Sequence, residues 1–161
     1  MDDSVTQQTT RIDHGHAEYT VDELLEQCQG NAASLMLATL RVLADQGTTV
    51  DVWAAGVARV FALSWEAEDT WTAAAFLDAL LTNLRSLGAS VADVELGDSE
   101  ATATIRDYPD DELAAGLGVD PAFGEAMFHV GVHLAHQMGL RLQWQRRDKV
   151  VDLRVAASTG T

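Results

Sequence analysis

The chain has almost nothing with which to staple or anchor itself. Cys28 is its single cysteine, so an intrachain disulfide and a thiolate zinc cluster are both excluded, and a reducing cytoplasmic compartment is the expected location. No run of about 18 apolar residues occurs, which argues against a transmembrane helix. The opening MDDSVTQQTTRIDHGHAEYT has neither the basic nor the apolar region of a signal peptide. Positive charge is also scarce. Ten basic residues stand against 25 acidic ones, for a formal net charge of -15. Such a surface repels nucleic acid and anionic lipid, so neither is an expected partner. Familiar catalytic signatures are missing too. Gly116-Leu117-Gly118 has no Lys-Ser/Thr after it and is no phosphate loop. Ser64 and Ser86 lack the G-x-S-x-G setting of a hydrolase nucleophile.

What remains is globular composition at single-domain length, with 47% hydrophobic and 22% charged residues in 161. Residues 1–18 are polar and aperiodic and read as a flexible arm. Residues 19–157 read as one domain and 158–161 as a tail. Thr20-Val21-Asp22-Glu23 has the form of a capping box. Behind it Leu24, Leu25 and Cys28 suit a helix in which Cys28 packs as a small apolar residue. Gly30-Asn31 is a candidate break, followed by a helical stripe of Leu35, Leu37, Leu40 and Leu43 that closes at Gly47. A second helix is expected from Val50 to Trp65, where Val52, Trp53, Val57, Val60, Phe61 and Leu63 suit the pattern. A third, capped by Asp69 or Thr70, carries Phe76, Leu77, Leu80, Leu81, Leu84 and Leu87 and stops at Gly88.

The period then changes. SVADVELG and ATATIRDY alternate, are rich in Val and Thr, and flank a Gly-Asp-Ser turn, the pattern of a hairpin. After Pro109, DDELAAGLG reads as a short helix. Asp120-Pro121 is an N-cap with proline at the first helical position, and the helix it opens ends at Gly139. LRLQWQRR and VVDLRVAA form a second hairpin. The expected fold is α+β: an N-terminal helical bundle followed by β-β-α-β-β, with a four-stranded antiparallel sheet and helices packed on it. Over roughly the last hundred residues this order resembles that of the small vinyl-reductase-type ligand-binding domains related to trafficking-complex subunits. The resemblance implies a small-molecule-binding or sensory domain. The cysteines often found near the C-terminal hairpin of bacterial members are absent here.

The most pointed stretch is EAMFHVGVHLAHQMG, residues 125–139. It holds three of the five histidines. At about 100° per residue, His129, His133 and His136 fall in a sector of about 60°, with Glu125 beside them. Met127, Gly131, Leu134, Ala135 and Met138 lie opposite. Imidazoles at i and i+4, or i and i+3, can share a metal. All three on one ion is harder, because the helix rises about 10.5 Å from His129 to His136. The expectation is a divalent transition metal, zinc or iron first, on His129, His133 and His136, with a further ligand from outside the helix, for which the Glu66-Ala67-Glu68-Asp69 carboxylates and His14 and His16 are candidates. Haem, on His129 or His133, is the lesser alternative. An open metal position would activate water or polarise a substrate, with Glu125 or Glu66 as general base. Arg106 and Arg141, on expected hairpin strands, are candidate clamps for a carboxylated substrate. Trp65 and Trp71, which bracket Glu66-Ala67-Glu68-Asp69, are candidate pocket walls.

Three functions compete on these grounds. The first is a metal-dependent hydrolase or oxygenase acting on a small substrate. The second is a non-enzymatic small-molecule-binding or sensory domain, which needs a sizeable apolar pocket. The third is a homo-oligomer, most simply a dimer, with the histidine face at its interface, loosening below about pH 6.5 where free imidazole protonates.

Overall fold

Short polar side chains cap the first four α-helices in the computed structural model, which describes residues 12–13, 18–65 and 70–158. A two-residue ladder, β1 (Ile12–Asp13) with β2 (Glu18–Tyr19), precedes the first helix. Thr20 then caps α1 (Val21–Asp45). Its hydroxyl accepts from the Glu23 N–H, and the Glu23 carboxylate accepts from the Thr20 N–H at 2.7 Å. The break expected at Gly30-Asn31 does not occur, and α1 runs through 25 residues. One internal glycine costs about 1 kcal/mol, too little to end a helix that is capped at its start and anchored further on. That anchor is Ala33, Leu37 and Leu40, which are buried. Cys28, expected to pack, is exposed.

Thr49 caps α2 (Val50–Ser64) through its hydroxyl. The cap of α3 (Ala73–Arg85) is Thr72, two residues beyond the expected start, and it accepts from the Ala75 N–H at 3.2 Å. Four strands follow, in two hairpins: β3 (Ser90–Leu96) with β4 (Glu100–Arg106), and β5 (Leu140–Arg147) with β6 (Val150–Ala157). Their order is β3-β4-β6-β5, antiparallel throughout. A bulge sets Ala92 and Asp93 of β3 against Thr104 alone. Between the hairpins lie α4 (Asp111–Gly116), a 3₁₀ turn over Pro121–Glu125, and α5 (Ala126–Gln137). The 3₁₀ turn intervenes where the sequence suggested α-helix. It seats Gly124 on Pro109 so tightly that a Cβ there would stand 2.6 Å from the proline Cβ.

Alternation along the strands gives the sheet two unlike faces. Ala101, Ala103 and Ile105 of β4, Leu140 and Leu142 of β5, and Val151, Leu153 and Val155 of β6 are buried beneath α3 and α5. The fully buried Phe76, Leu77 and Leu84 of α3 complete this core. The other face carries Thr102, Thr104, Gln143, Asp152 and Arg154 and is open. The principal partner of α2 is α5, through a small-residue stripe of Ala54, Ala58 and Ala62. Helix α1 lies outermost, against α2, α4 and the 3₁₀ turn. The architecture is thus α+β, with helices leading into a four-stranded antiparallel sheet that they cover on one side.

Candidate functional site

The histidine helix is held from two sides. Phe128, Val130, Leu134 and Ala135 are buried. Gly131 sits where a Cβ would come within 2.8 Å of a Leu142 methyl and 3.5 Å of Leu80. With β5 on one side and α2 on another, the three imidazoles are sent to different surroundings. His133 Nε2 lies 2.8 Å from Asp51 Oδ1 in the first turn of α2, its side chain 33% exposed. His129 sets its ring against Trp144, with centroids 5.9 Å apart and planes at 74°. His136, in the last turn of α5, is exposed. Among the described residues, no group of three or more His, Cys, Asp and Glu side chains is placed to hold one ion.

Glu125 also has a partner. Its Oε1 lies 3.5 Å from Arg146 Nη1, and Arg146 bonds Asp111 through Nη2 and the Asp148 carbonyl through Nε at 2.9 Å. The Arg146 side chain is only 18% exposed, and the hydrogen bond to Asp111 raises its pKa above the ordinary guanidinium value. This network ties α4 and the start of α5 to the second hairpin. Glu66, Glu68 and Asp69 lie outside the described residues, as do His14 and His16.

The other expected site residues are also separated. Trp65 and Trp71 stack at 5.4 Å, and both set their edges to Phe76, so their rings belong largely to the packing beneath α3. Arg106 and Arg141 occupy the open face of the sheet. They stand opposite Val150 and Ala156 of β6, roughly 20 Å apart at about 3.3 Å per residue, with the sheet between them and α5. A groove of about 620 Å³ on that face is lined by Thr102, Thr104, Gln143, Arg147, Asp152 and Arg154, among others. Its two arginines are already matched, and the carboxylates of Asp93 and Glu95 line it as well. Arg147 bonds Asp152, Thr104 donates to Asp152 at 3.2 Å, and Arg154 bonds Glu100 at 2.5 Å. The Arg154 guanidinium holds the Glu100 carboxyl below its usual range.

A different site lies among the helices. Met36 of α1, Trp53, Val57 and Phe61 of α2, Leu87 beyond α3, and Met127 of α5 line a cleft of about 220 Å³. All but Met127 are partly rather than fully buried. Asn83 and Ser86 complete the lining. Their side chains donate to the carbonyls of Ala79 and Asn83 within their own helix and its end, so these donors are already engaged. Among the described residues, no charged one lines the cleft. Sequence reasoning placed Trp53, Val57 and Phe61 on the helix over Val50 to Trp65 but not at a site. The available signal was an excess of large apolar residues around α2 beyond what one buried face can hold. The chain matches no protein-family model and no curated protein.

Proposed function

We propose that the protein is a small-molecule-binding module whose ligand is uncharged and apolar, held in the cleft between α1, α2, α3 and α5. The observation that carries this reading is the lining itself: six apolar side chains, three of them from α2 and the others from α1, the end of α3 and α5, and no charge among the described residues. Apolar surface left open to water is unfavourable by about 25 cal/mol per Å², so a ligand that covers it gains directly. An apolar cavity of about 150 Å³ takes up benzene, and a cleft of about 220 Å³ suits one or two fused rings or a short aliphatic chain. The two methionines and two aromatic residues among its walls adapt to such shapes. An anionic group on the ligand would have to stay outside, away from the acidic surface.

Titration with a neutral, environment-sensitive naphthalene dye, competed with indole, tests this. Saturable one-to-one binding is expected. Val57→Phe, which fills the cleft, weakens it at least tenfold while circular dichroism is unchanged. Absence of saturable binding, or binding indifferent to Val57→Phe, sinks the proposal.

The second reading is the metal-dependent enzyme. One observation favours it, the His133–Asp51 imidazole–carboxylate pair at 2.8 Å. Catalytic zinc takes about three protein ligands, so the pair would need another. Metal content of chelator-free protein, beside His129→Ala/His133→Ala, separates the readings. Near-stoichiometric zinc or iron that disappears in the double variant would transfer the assignment to α5.

A further inference from the structure

Helix α1 has a second apolar face that, among the described residues, nothing covers. Val21, Leu25, Cys28, Ala32, Leu35, Thr39 and Val42 follow one another at spacings of four and three, the heptad rhythm of a coiled-coil seam sustained for about three heptads. All seven are exposed, Leu35 most of the four largest, at 70%. Thr39, the single hydroxyl in the row, donates to the Leu35 carbonyl at 2.7 Å, so its polar group is satisfied within the helix. Ala33, Leu37 and Leu40, which fix α1 to the body, lie on the other side. From Val21 to Ala32 the helix contains no buried residue. An isolated segment of that length is marginal as a helix in water.

The charge pattern narrows what can cover this face. Asp22, Glu23, Glu26, Arg41 and Asp45 are the charged residues of α1. At about 100° per residue each lies about 100° or more from the midline of the row. The outward half of α1 is therefore uncharged in a chain with a net charge of -15. Two such chains repel each other wherever carboxylates meet, and a face free of charge is where they can touch. Residues 1–11 cannot supply a matching stripe, because MDDSVTQQTTR contains only two large apolar side chains, Met1 and Val5. The other segments outside the described residues, HGHA, EAED and TGT, hold none.

From this juxtaposition we infer that the chain self-associates through the Val21–Val42 face of α1, pairing with the same face of a second copy. The contact is a two-fold one, in which each row packs into the other. It is separate from the histidine face of α5 and from the ligand cleft.

Sedimentation equilibrium of the full chain from about 1 to 200 µM, a range that brackets a micromolar dimer, tests the inference. The wild type is expected to be a dimer at the upper end. Leu35→Glu buries a carboxylate on each side of the contact and weakens dimerisation by roughly a hundredfold. Because Leu35 is exposed in the single chain, its circular dichroism and melting midpoint stay close to wild type. Leu63→Glu, which changes an exposed leucine of α2, leaves the dimer intact. A wild type that is monomeric at 200 µM overturns the inference. So does a dimer that ignores Leu35→Glu, or one that Leu63→Glu dissolves instead.

Discussion

Tyr108 shows how much a single residue's setting matters here. It is buried edge-to-face against Phe128, with centroids 5.6 Å apart. Its hydroxyl has no hydrogen-bond partner among the described residues. Burial without a partner pushes its pKa up, because the phenolate would lose its water. A group whose pKa is higher folded than unfolded contributes stability below the unfolded value and loses it above. The unfolded value for tyrosine is about 10, so the protein is expected to weaken as pH rises beyond about 10, by up to about 1.4 kcal/mol per pH unit for this one proton. Tyr108→Phe removes that slope and, by deleting an unpaired buried hydroxyl, gains about 1 kcal/mol at neutral pH. Urea unfolding at pH 7 and pH 11 reads both effects. A Phe variant less stable at pH 7 would mean that the hydroxyl has a partner.

At the scale of elements, caps and stops were legible because they are local. The Thr20/Glu23 capping box and the left-handed Gly47, Gly88, Gly118 and Gly139 depend on neighbours within a few residues. Whether a helix persists through a glycine depends on what its far end touches, and Gly30 shows this. A Cβ there meets nothing within 4 Å, and the residue lies mid-helix. Gly30→Ala is therefore expected to stabilise the protein by about 0.5–1 kcal/mol, seen as a melting midpoint higher by about 2–4 °C. An unchanged midpoint would show that the N-terminal half of α1 melts apart from the rest. Periodicity also divided α5 correctly into a packed side and a histidine side. It could not show that the histidine side meets Asp51 from 82 residues away and Trp144 from the following strand. In α1 the Leu35, Leu37, Leu40, Leu43 reading joined residues from two faces, which hid the outward row that runs through Leu35.

Over the whole molecule, charge decides more than any single pair. Several ion pairs, such as Arg41–Asp45, Lys149–Glu112 and Arg154–Glu100, are well exposed, and such pairs contribute about 0–1 kcal/mol each. Against them stands the self-repulsion of a net charge of -15, which reaches over the whole compact state and is screened by salt. Repulsion should win. The melting midpoint of dilute protein is expected to rise by a few degrees between roughly 0.05 and 0.5 M sodium chloride. A fall would mean that the local pairs, with Arg146 and its two carboxylates foremost, outweigh the net charge.

The sequence by itself determined the α+β class, the order of helices and hairpins, the cap and stop of most elements and the acidic surface. These follow from composition, from periods of 3.6 and 2, and from contacts between near neighbours. Only the tertiary structure decided which faces meet. It set α2 on α5 and so gave His133 to Asp51. It bound Glu125 to Arg146 and placed Arg106 and Arg141 at opposite ends of the open sheet face. It left an apolar cleft beneath α1 where the sequence suggested only helices. The physical reason is the same in each case. Local chemistry fixes how a segment coils, whereas a site is made by side chains distant in sequence, and packing alone brings them together.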